Sequence, residues 1–272
     1  MNRTIIRPPG KLNMPSMSAL WGAREIFYQF GKRDILLRYR QTAIGVAWVF
    51  IQPLVGAGVF TLVFGGIAQL PSGGVPYFIF SYAGLLGWNL FNSIISRSAG
   101  SLVANQALVS KVFFPRLIVP LSGMVSVLLD FIIAFGLFVV LLFVFGINPG
   151  WPILALPFWV LITIVLANGI GLAAAAGTVR YRDVSYFLPW TLQILLYGTP
   201  IAYSLEAVPQ NLLWLFNLNP LTWLLEGYRW SLLGQTAPDV WQVIALIIVS
   251  LVVGFIGLAI FQRLERAFAD II

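Results

Sequence analysis

The sequence contains no cysteine and no histidine among its 272 residues. Without cysteine there is no disulfide, thiolate metal site or cysteine nucleophile, and without histidine the commonest general base and metal ligand is missing. Charged residues are also scarce, at 9% of the chain. We therefore expect no catalytic residue, no metal site and no bound cofactor in this chain.

Apolar residues are abundant instead, at 60% of the chain with a mean hydropathy of +0.92. One water-soluble core cannot hold this much apolar surface, so the sequence predicts an all-α membrane protein. Six apolar stretches each approach the ~20 residues that a helix needs to cross a bilayer. They cover residues 43–68, 76–96, 117–145, 153–178, 187–203 and 240–261.

The positive charges predict the orientation of these spans, because Lys and Arg concentrate in cytoplasmic loops. With six spans, 15 of the 16 Lys and Arg residues fall on one side, and Arg229 alone falls on the other. The fifteen are Arg3, Arg7, Lys11, Arg24, Lys32, Arg33, Arg38, Arg40, Arg97, Lys111, Arg116, Arg180, Arg182, Arg263 and Arg266. Both termini are therefore expected in the cytoplasm, and membrane topology accounts for the net charge of +7 without nucleic acid.

Three of the segments outside the six spans have a distinctive composition. Residues 1–17 are basic and rich in proline, which indicates a flexible cytoplasmic tail. Residues 18–41 mix apolar with charged side chains, as an amphipathic helix at the membrane interface does. Residues 204–239 are rich in Leu, Trp and Phe but interrupted by Pro and Gly, which favours short helices that enter the outer leaflet and return.

Some residues admit two interpretations. Asp130 could relay protons or ions, or it could be a hydrogen-bonded carboxyl that joins helices. The lack of a second acidic residue at its depth favours the structural role. The many aromatic residues suit a membrane-interface belt, and together they also suit a path for sugars. Small residues from Gly169 to Gly177 permit close approach of helices.

The chain lacks the phosphate-binding loop GxxxxGK[ST]. Gly10 and Lys11 are adjacent, but Ile5 stands where the first glycine is required. We therefore expect energy to come from another subunit or from an ion gradient.

Four groups of residues, in this order, resemble motifs of the membrane subunits of type-2 ABC exporters, in the branch that exports polysaccharides. They are Arg33, Asp34, Arg38, Tyr39, Arg40, Gln41, Thr42, Gly45, Trp48, Gln52 and Pro53; Asn105, Leu108 and Lys111 to Arg116; Tyr181, Arg182, Asp183, Pro189, Gln193, Thr199, Pro200 and Ile201; and Asn219, Pro220 and Glu226 to Arg229. The resemblance runs from about Leu20 to the C-terminus.

This resemblance implies a homodimer in the inner (plasma) membrane of a bacterial cell, with two copies of a separate ATPase subunit that binds ATP and Mg. The substrate would be a lipid-linked polysaccharide of the O-antigen, capsule or teichoic acid type. The transmembrane domain would cover residues 18–272, with an interface helix at 18–41, a coupling loop to the ATPase at 105–116 and an outer re-entrant segment at 204–239.

The candidate site residues fall into four groups. The ATPase-coupling residues are Lys111, Val112, Phe113, Phe114, Pro115 and Arg116, of which Val112, Phe113 and Phe114 are expected to be exposed. Candidates for binding the lipid pyrophosphate are Lys32, Arg33, Arg38, Tyr39 and Arg40. Candidates for lining the channel are Trp48, Tyr82, Trp88, Tyr197 and Tyr203, and candidates for the outer gate are Asn219, Pro220, Glu226, Tyr228 and Arg229.

Other functions stay open at this point. A drug or lipid exporter of the same superfamily shares most of these features. An ion-driven flippase would work without an ATPase and often shows inverted repeats, which we do not find here. An intramembrane enzyme would need several catalytic groups at one depth, whereas Asp130 stands alone.

Overall fold

A computed structural model describes residues 21–40, 47–112, 114–265 and 268 of the chain, and all regular structure in these ranges is helical. The α-helices are α1 (Arg24–Arg40), α2 (Ala47–Phe60), α3 (Tyr77–Ala104), α4 (Gln106–Lys111), α5 (Ile118–Val144), α6 (Leu156–Arg180), α7 (Val184–Tyr197), α8 (Leu213–Asn217), α9 (Pro220–Leu233) and α10 (Val240–Glu265). A π-helix (Thr61–Ile67) continues α2, and a 3-10 helix (Trp151–Ala155) leads into α6. Two further 3-10 turns, Leu205–Ala207 and Gln210–Leu212, precede α8.

Five helical segments of the described chain are long and apolar enough to cross a membrane. They are Ala47–Ile67, Tyr77–Ala104, Ile118–Val144, Trp151–Arg180 and Val240–Glu265. These segments coincide with five of the six predicted spans. The second is longer than predicted, because α3 continues past residue 96 and includes Arg97.

The predicted span at 187–203 corresponds to α7, which has only 14 residues. At about 1.5 Å per residue α7 is about 21 Å long, shorter than the ~30 Å hydrocarbon core. The helix ends at Gly198, and residues 199–204 are not helical. The count of six spans therefore stays a prediction, as does the entry of residues 204–239 into a membrane.

The bundle has two ends, which we name after the two ends of α3. At the Ala104 end, Leu102 packs in one apolar cluster with Val179 of α6 and Phe261 of α10. At the Tyr77 end, Gln235 donates a hydrogen bond to the carbonyl oxygen of Ser72 at 3.1 Å. The helices α3 and α6 therefore run from the Tyr77 end to the Ala104 end.

Helix α3 is the most deeply buried of the five long helices and contacts α2, α5, α6, α7 and α9. The backbones of α6 and α10 approach each other closely. A Cβ atom at Gly169 would lie 2.6 Å from the carbonyl oxygen of Val253, and one at Gly257 would overlap the carbonyl oxygen of Gly169. The predicted close helix approach is thus confirmed at Gly169.

The amphipathic helix predicted at 18–41 is represented by α1, which packs along α5. A Cβ atom at Gly31 would lie 3.2 Å from Val125, and seven residues later Arg38 reaches Asp130. The C-terminal part of α1 therefore lies against the middle of α5. The position of α1 relative to a membrane stays a prediction, and the predicted tail at 1–17 lies outside the described residues.

Candidate transport site

Three arginine side chains from two helices line one pocket between α1, α3 and α5. Arg33 and Arg38 come from α1 and Arg97 from α3, and the pocket has a volume of about 630 Å³. This volume lies within the range of about 300–1,000 Å³ that is common for ligand sites. Asp34 and Asn105 also line it, so the pocket is basic but not uniformly charged.

Arg33 is held by several contacts at the Ala104 end. Its guanidinium donates to Oδ1 of Asn105 at 2.6 Å and to Oδ1 of Asp34 at 3.2 Å. The guanidinium carbon also lies 4.8 Å from the centre of the Phe30 ring, which is a favourable cation–π distance. These contacts fix α1 against the start of the segment that carries α4.

Arg38 and Asp130 form an ion pair with 2.6 Å between Nη1 and Oδ2. Asp130 lies twelve residues into α5 from Ile118, or about 18 Å at about 1.5 Å per residue, which places it near the middle of this helix. Charge at such depth is costly unless it is paired. The pair therefore supports the interpretation of Asp130 as a carboxyl that joins two helices.

A second cavity of about 100 Å³ adjoins this ion pair, and we call it the amide cleft. Its polar lining consists of Arg38, Gln52, Asn89, Asn92, Ser93 and Asp130. This cleft was not predicted from the sequence. The available signal was the pair of asparagines three residues apart, because positions i and i+3 share one face of a helix.

The predicted coupling segment contains the short helix α4, and the structure corrects part of that prediction. Val112 is exposed as expected, and Lys111 is exposed too, but Phe114 is only 8% exposed. Its ring lies 5.9 Å from that of Phe30, so α1 covers it. Phe113 lies outside the described residues.

The end of the coupling segment is tied to the last helix. The guanidinium of Arg116 donates to the carbonyl oxygen of Glu265 at 3.0 Å and lies 6.0 Å from the centre of the Phe268 ring. Pro115 beside it is half-buried. Arg116 therefore has a structural contact, and Lys111 and Val112 offer the exposed surface.

The five predicted channel-lining aromatics do not share one environment. Trp48 on α2 and Tyr197 on α7 are 52% and 61% exposed, and Tyr203 is half-buried. Tyr82 and Trp88 instead lie in the core of α3, at 0% and 5% exposure. Because these two side chains have almost no free surface, the structure argues against the channel-lining prediction for them.

The structure describes the other candidates for binding the lipid pyrophosphate to different extents. Lys32 on α1 is exposed. Tyr39 and Arg40 belong to the last turn of α1, but their side chains lie outside the described part of the structure.

The outer-gate candidates Asn219, Pro220 and Tyr228 have identifiable structural contacts. Asn219 caps α9 by accepting a hydrogen bond from the backbone N–H of Leu221 at 3.0 Å, and Pro220 occupies the first turn. The Tyr228 hydroxyl is buried and lies 3.0 Å from that of Thr163. The cap and the proline therefore define the start of α9, and the contact between Tyr228 and Thr163 joins α9 to α6.

Arg229, the predicted lone cation of the outer side, is buried at 3% exposure. Its Nη2 donates to the carbonyl oxygens of Pro200 and Ile201 at 2.5 and 2.8 Å, and the guanidinium lies 3.9 Å from the centre of the Phe80 ring. The chain after α7 is not helical, so these carbonyls have no helical partner there. Arg229 therefore satisfies the backbone at the point where α7 ends.

Burial shifts the pKa values of both charged residues of α9. Burial lowers the pKa of Arg229 to about 10, which leaves it charged at neutral pH. Burial raises the pKa of the Glu226 carboxyl, and the positive charge of Arg229 partly offsets this rise.

Long apolar helices with arginine and amide side chains between them define a multi-pass membrane protein. Residues 25–233 match the family described as ABC-2 type transporter, and the chain belongs to this family. An O-antigen export system permease protein RfbA from Klebsiella pneumoniae is 27% identical, over 88% of this chain and 92% of that protein. A protein of the same name from Myxococcus xanthus is also 27% identical, over 92% and 96% of the two chains. The polysialic acid transport protein KpsM of Escherichia coli is 25% identical, over 86% and 92%.

Proposed function

We propose that this chain is the transmembrane subunit of an ATP-driven exporter that moves a lipid-linked polysaccharide across a bacterial inner membrane. Two copies would form the channel, and two copies of a separate subunit would bind ATP and Mg and hydrolyse the nucleotide. Relatives named for O-antigen export and polysialic acid transport, similar over most of this chain, support the polysaccharide as cargo.

The pocket lined by Arg33, Arg38 and Arg97, which we call the arginine pocket, is the observation that carries the proposal. A pyrophosphate that links a lipid to a glycan is a compact anion, and the fork of a guanidinium matches phosphate oxygens well. Arg33, Arg38 and Arg97 supply three such forks in one pocket between helices. The ion pair with Asp130 holds Arg38 in place until an anion competes for it.

The charge at the Ala104 end supports a cytoplasmic location for this end. Lys111, Arg180 and Arg182 are exposed there, and positive charge favours the cytoplasmic side. The substrate would then move from the Ala104 end to the Tyr77 end, with both termini in the cytoplasm.

Exposed aromatic faces support a second copy as partner. Trp48 on α2 and Tyr186, Trp190 and Tyr197 on α7 are all more than half exposed. Aromatic rings stack on the apolar faces of sugars and also pack well between proteins. Two such faces opposite each other would form an aromatic path for the glycan.

Reconstitution with a separately encoded ATPase tests this function. Wild-type chain and candidate ATPase are placed in lipid vesicles, and ATP hydrolysis and movement of lipid-linked polysaccharide are measured. Lys111→Glu changes the exposed surface of α4, and Glu206→Lys is the matched charge reversal away from it. We expect Lys111→Glu to lower substrate-stimulated hydrolysis at least about tenfold, because a reversed charge in an interface costs more than 1.4 kcal/mol. Glu206→Lys should change it less than about twofold.

Other outcomes would redirect the proposal. Transport that needs no ATPase and stops when the ion gradient is removed would favour an ion-driven flippase. ATP-driven movement of lipids or drugs without any polysaccharide would favour the broader exporter class. Equal effects of Lys111→Glu and Glu206→Lys would mean that α4 is not the coupling surface.

A further inference from the structure

The amide cleft contains polar side chains that form no hydrogen bond within the described part of the structure. Among the described residues, the side chains of Gln52, Asn89, Asn92 and Ser93 form no hydrogen bond. Asn89 lies twelve residues from Tyr77 and fifteen from Ala104, in the middle of α3. If α3 spans the bilayer, these amides lie near its centre, where an unsatisfied polar group costs several kcal/mol. A polar occupant of the cleft would remove this cost.

The chemistry of the lining narrows the class of occupant. Each amide side chain offers both donors and an acceptor, which matches hydroxyl groups that also donate and accept. Arg38 lines both the amide cleft and the arginine pocket, so the two cavities adjoin. Arg97 follows Asn92 by five residues, or about 7.5 Å along α3, a distance that a sugar joined to a phosphate can bridge.

We propose that the amide cleft binds the sugar attached directly to the pyrophosphate of the lipid carrier. Asn89 and Asn92 bond the hydroxyls of this sugar, and the phosphate lies in the arginine pocket, where it takes the place of Asp130 beside Arg38. The inference rests on the proposed function, because it assumes a lipid-linked glycan as substrate. It adds that the protein recognises the first sugar as well as the anion.

Binding of defined lipids to the full chain in lipid nanodiscs tests the proposal. The probes are a polyprenyl pyrophosphate without sugar and the same lipid carrying glucose, galactose or N-acetylglucosamine. We expect wild type to bind at least one sugar-bearing lipid about tenfold or more tightly than the sugar-free lipid, since two or three hydrogen bonds are added. Leucine has the same branching and the same number of side-chain heavy atoms as asparagine, although its methyl groups are larger, so Asn89→Leu/Asn92→Leu removes the amides and keeps the branched shape. This variant should reduce the preference to less than about threefold and leave the affinity for the sugar-free lipid within about twofold.

Asn168→Leu is the matched control, because Asn168 is an amide within α6 that bonds its own helix and does not line the cleft. This control should keep the sugar preference, and gel filtration of each variant checks that it is folded. Sugar preference that survives in Asn89→Leu/Asn92→Leu, or that is absent in wild type, would overturn the cleft proposal and leave the proposed function intact. Failure of wild type to bind any of the four lipids would overturn both.

Discussion

The ion pair between Arg38 and Asp130 predicts a specific pattern in a double-mutant cycle. Asp130→Asn removes the charge and keeps the shape of the side chain, while Arg38→Met removes the guanidinium and keeps much of the aliphatic stem. Each single change breaks this ion pair and leaves the other charge near the middle of α5. The double change leaves no charge at either position, so it should cost less than the sum of the two.

The structure sets the expected magnitude. The 2.6 Å distance indicates a close ion pair, but 34% of the Arg38 side chain and 17% of the Asp130 side chain remain exposed. The cost of breaking this pair should therefore lie between that of a surface pair, up to about 1 kcal/mol, and that of a buried pair, about 3–5 kcal/mol. We expect each single change to lower the free energy of unfolding by about 1.5–3 kcal/mol, with a coupling of about 1–2 kcal/mol between them.

The absence of cysteine from the chain provides a local assay. Ala23 lies just before α1 and is 6% exposed, so Ala23→Cys gives a single thiol whose reaction with a maleimide reports the detachment of α1. Unfolding in mixed detergent micelles, followed by circular dichroism, gives the global free energy for the same proteins. Additive single costs, with a coupling below about 0.5 kcal/mol, would refute the role of the pair in joining α1 to α5.

Three further changes test the packing. Arg229→Lys should lower the free energy of unfolding by about 2 kcal/mol, because a lysine cannot keep both carbonyl bonds and the aromatic contact; wild-type stability would contradict the role of Arg229 in satisfying the backbone. Glu226→Gln should stabilise the protein at neutral pH, because burial raises the pKa of Glu226 and disfavours its charged form. This gain in the free energy of unfolding should disappear as the pH falls to 4.5, the ordinary pKa of the carboxyl group. The free energy of unfolding measured across pH tests this, and a larger gain in acid would contradict a raised pKa. Gly257→Ala should cost about 1–3 kcal/mol, since the new methyl overlaps Gly169, whereas Gly58→Ala, with open space around position 58, should be neutral or stabilising; equal unfolding energies of the two variants would contradict the close approach.

Local features of the sequence predicted most of the helical architecture. Transfer of a helix into a bilayer depends on the summed hydropathy of about 20 neighbouring residues, so five spans could be located without any knowledge of their contacts. Residues 105–116, predicted as a coupling loop, contain the short helix α4, and their coupling role stays a prediction. Helix packing at Gly169 also followed from composition, because only small residues permit it.

The errors and omissions arise from contacts between distant residues. Phe114 was expected to be exposed in the coupling segment, but Phe30, 84 residues earlier, covers it. Tyr82 and Trp88 have the composition of a channel lining, yet α3 is central and buries them. No hydropathy pattern distinguishes an aromatic residue that faces a channel from one that faces the core.

The sequence by itself determined that this chain crosses a membrane, approximately where five of its helices do so, and which exporter family it resembles. Only the tertiary structure decided that Arg38 pairs with Asp130, that the amides of α3 adjoin this pair, and that Arg229 satisfies the backbone after the short α7. The physical reason is the range of each effect. Hydropathy acts within one helix, whereas an ion pair or a cleft requires that separate helices have already packed.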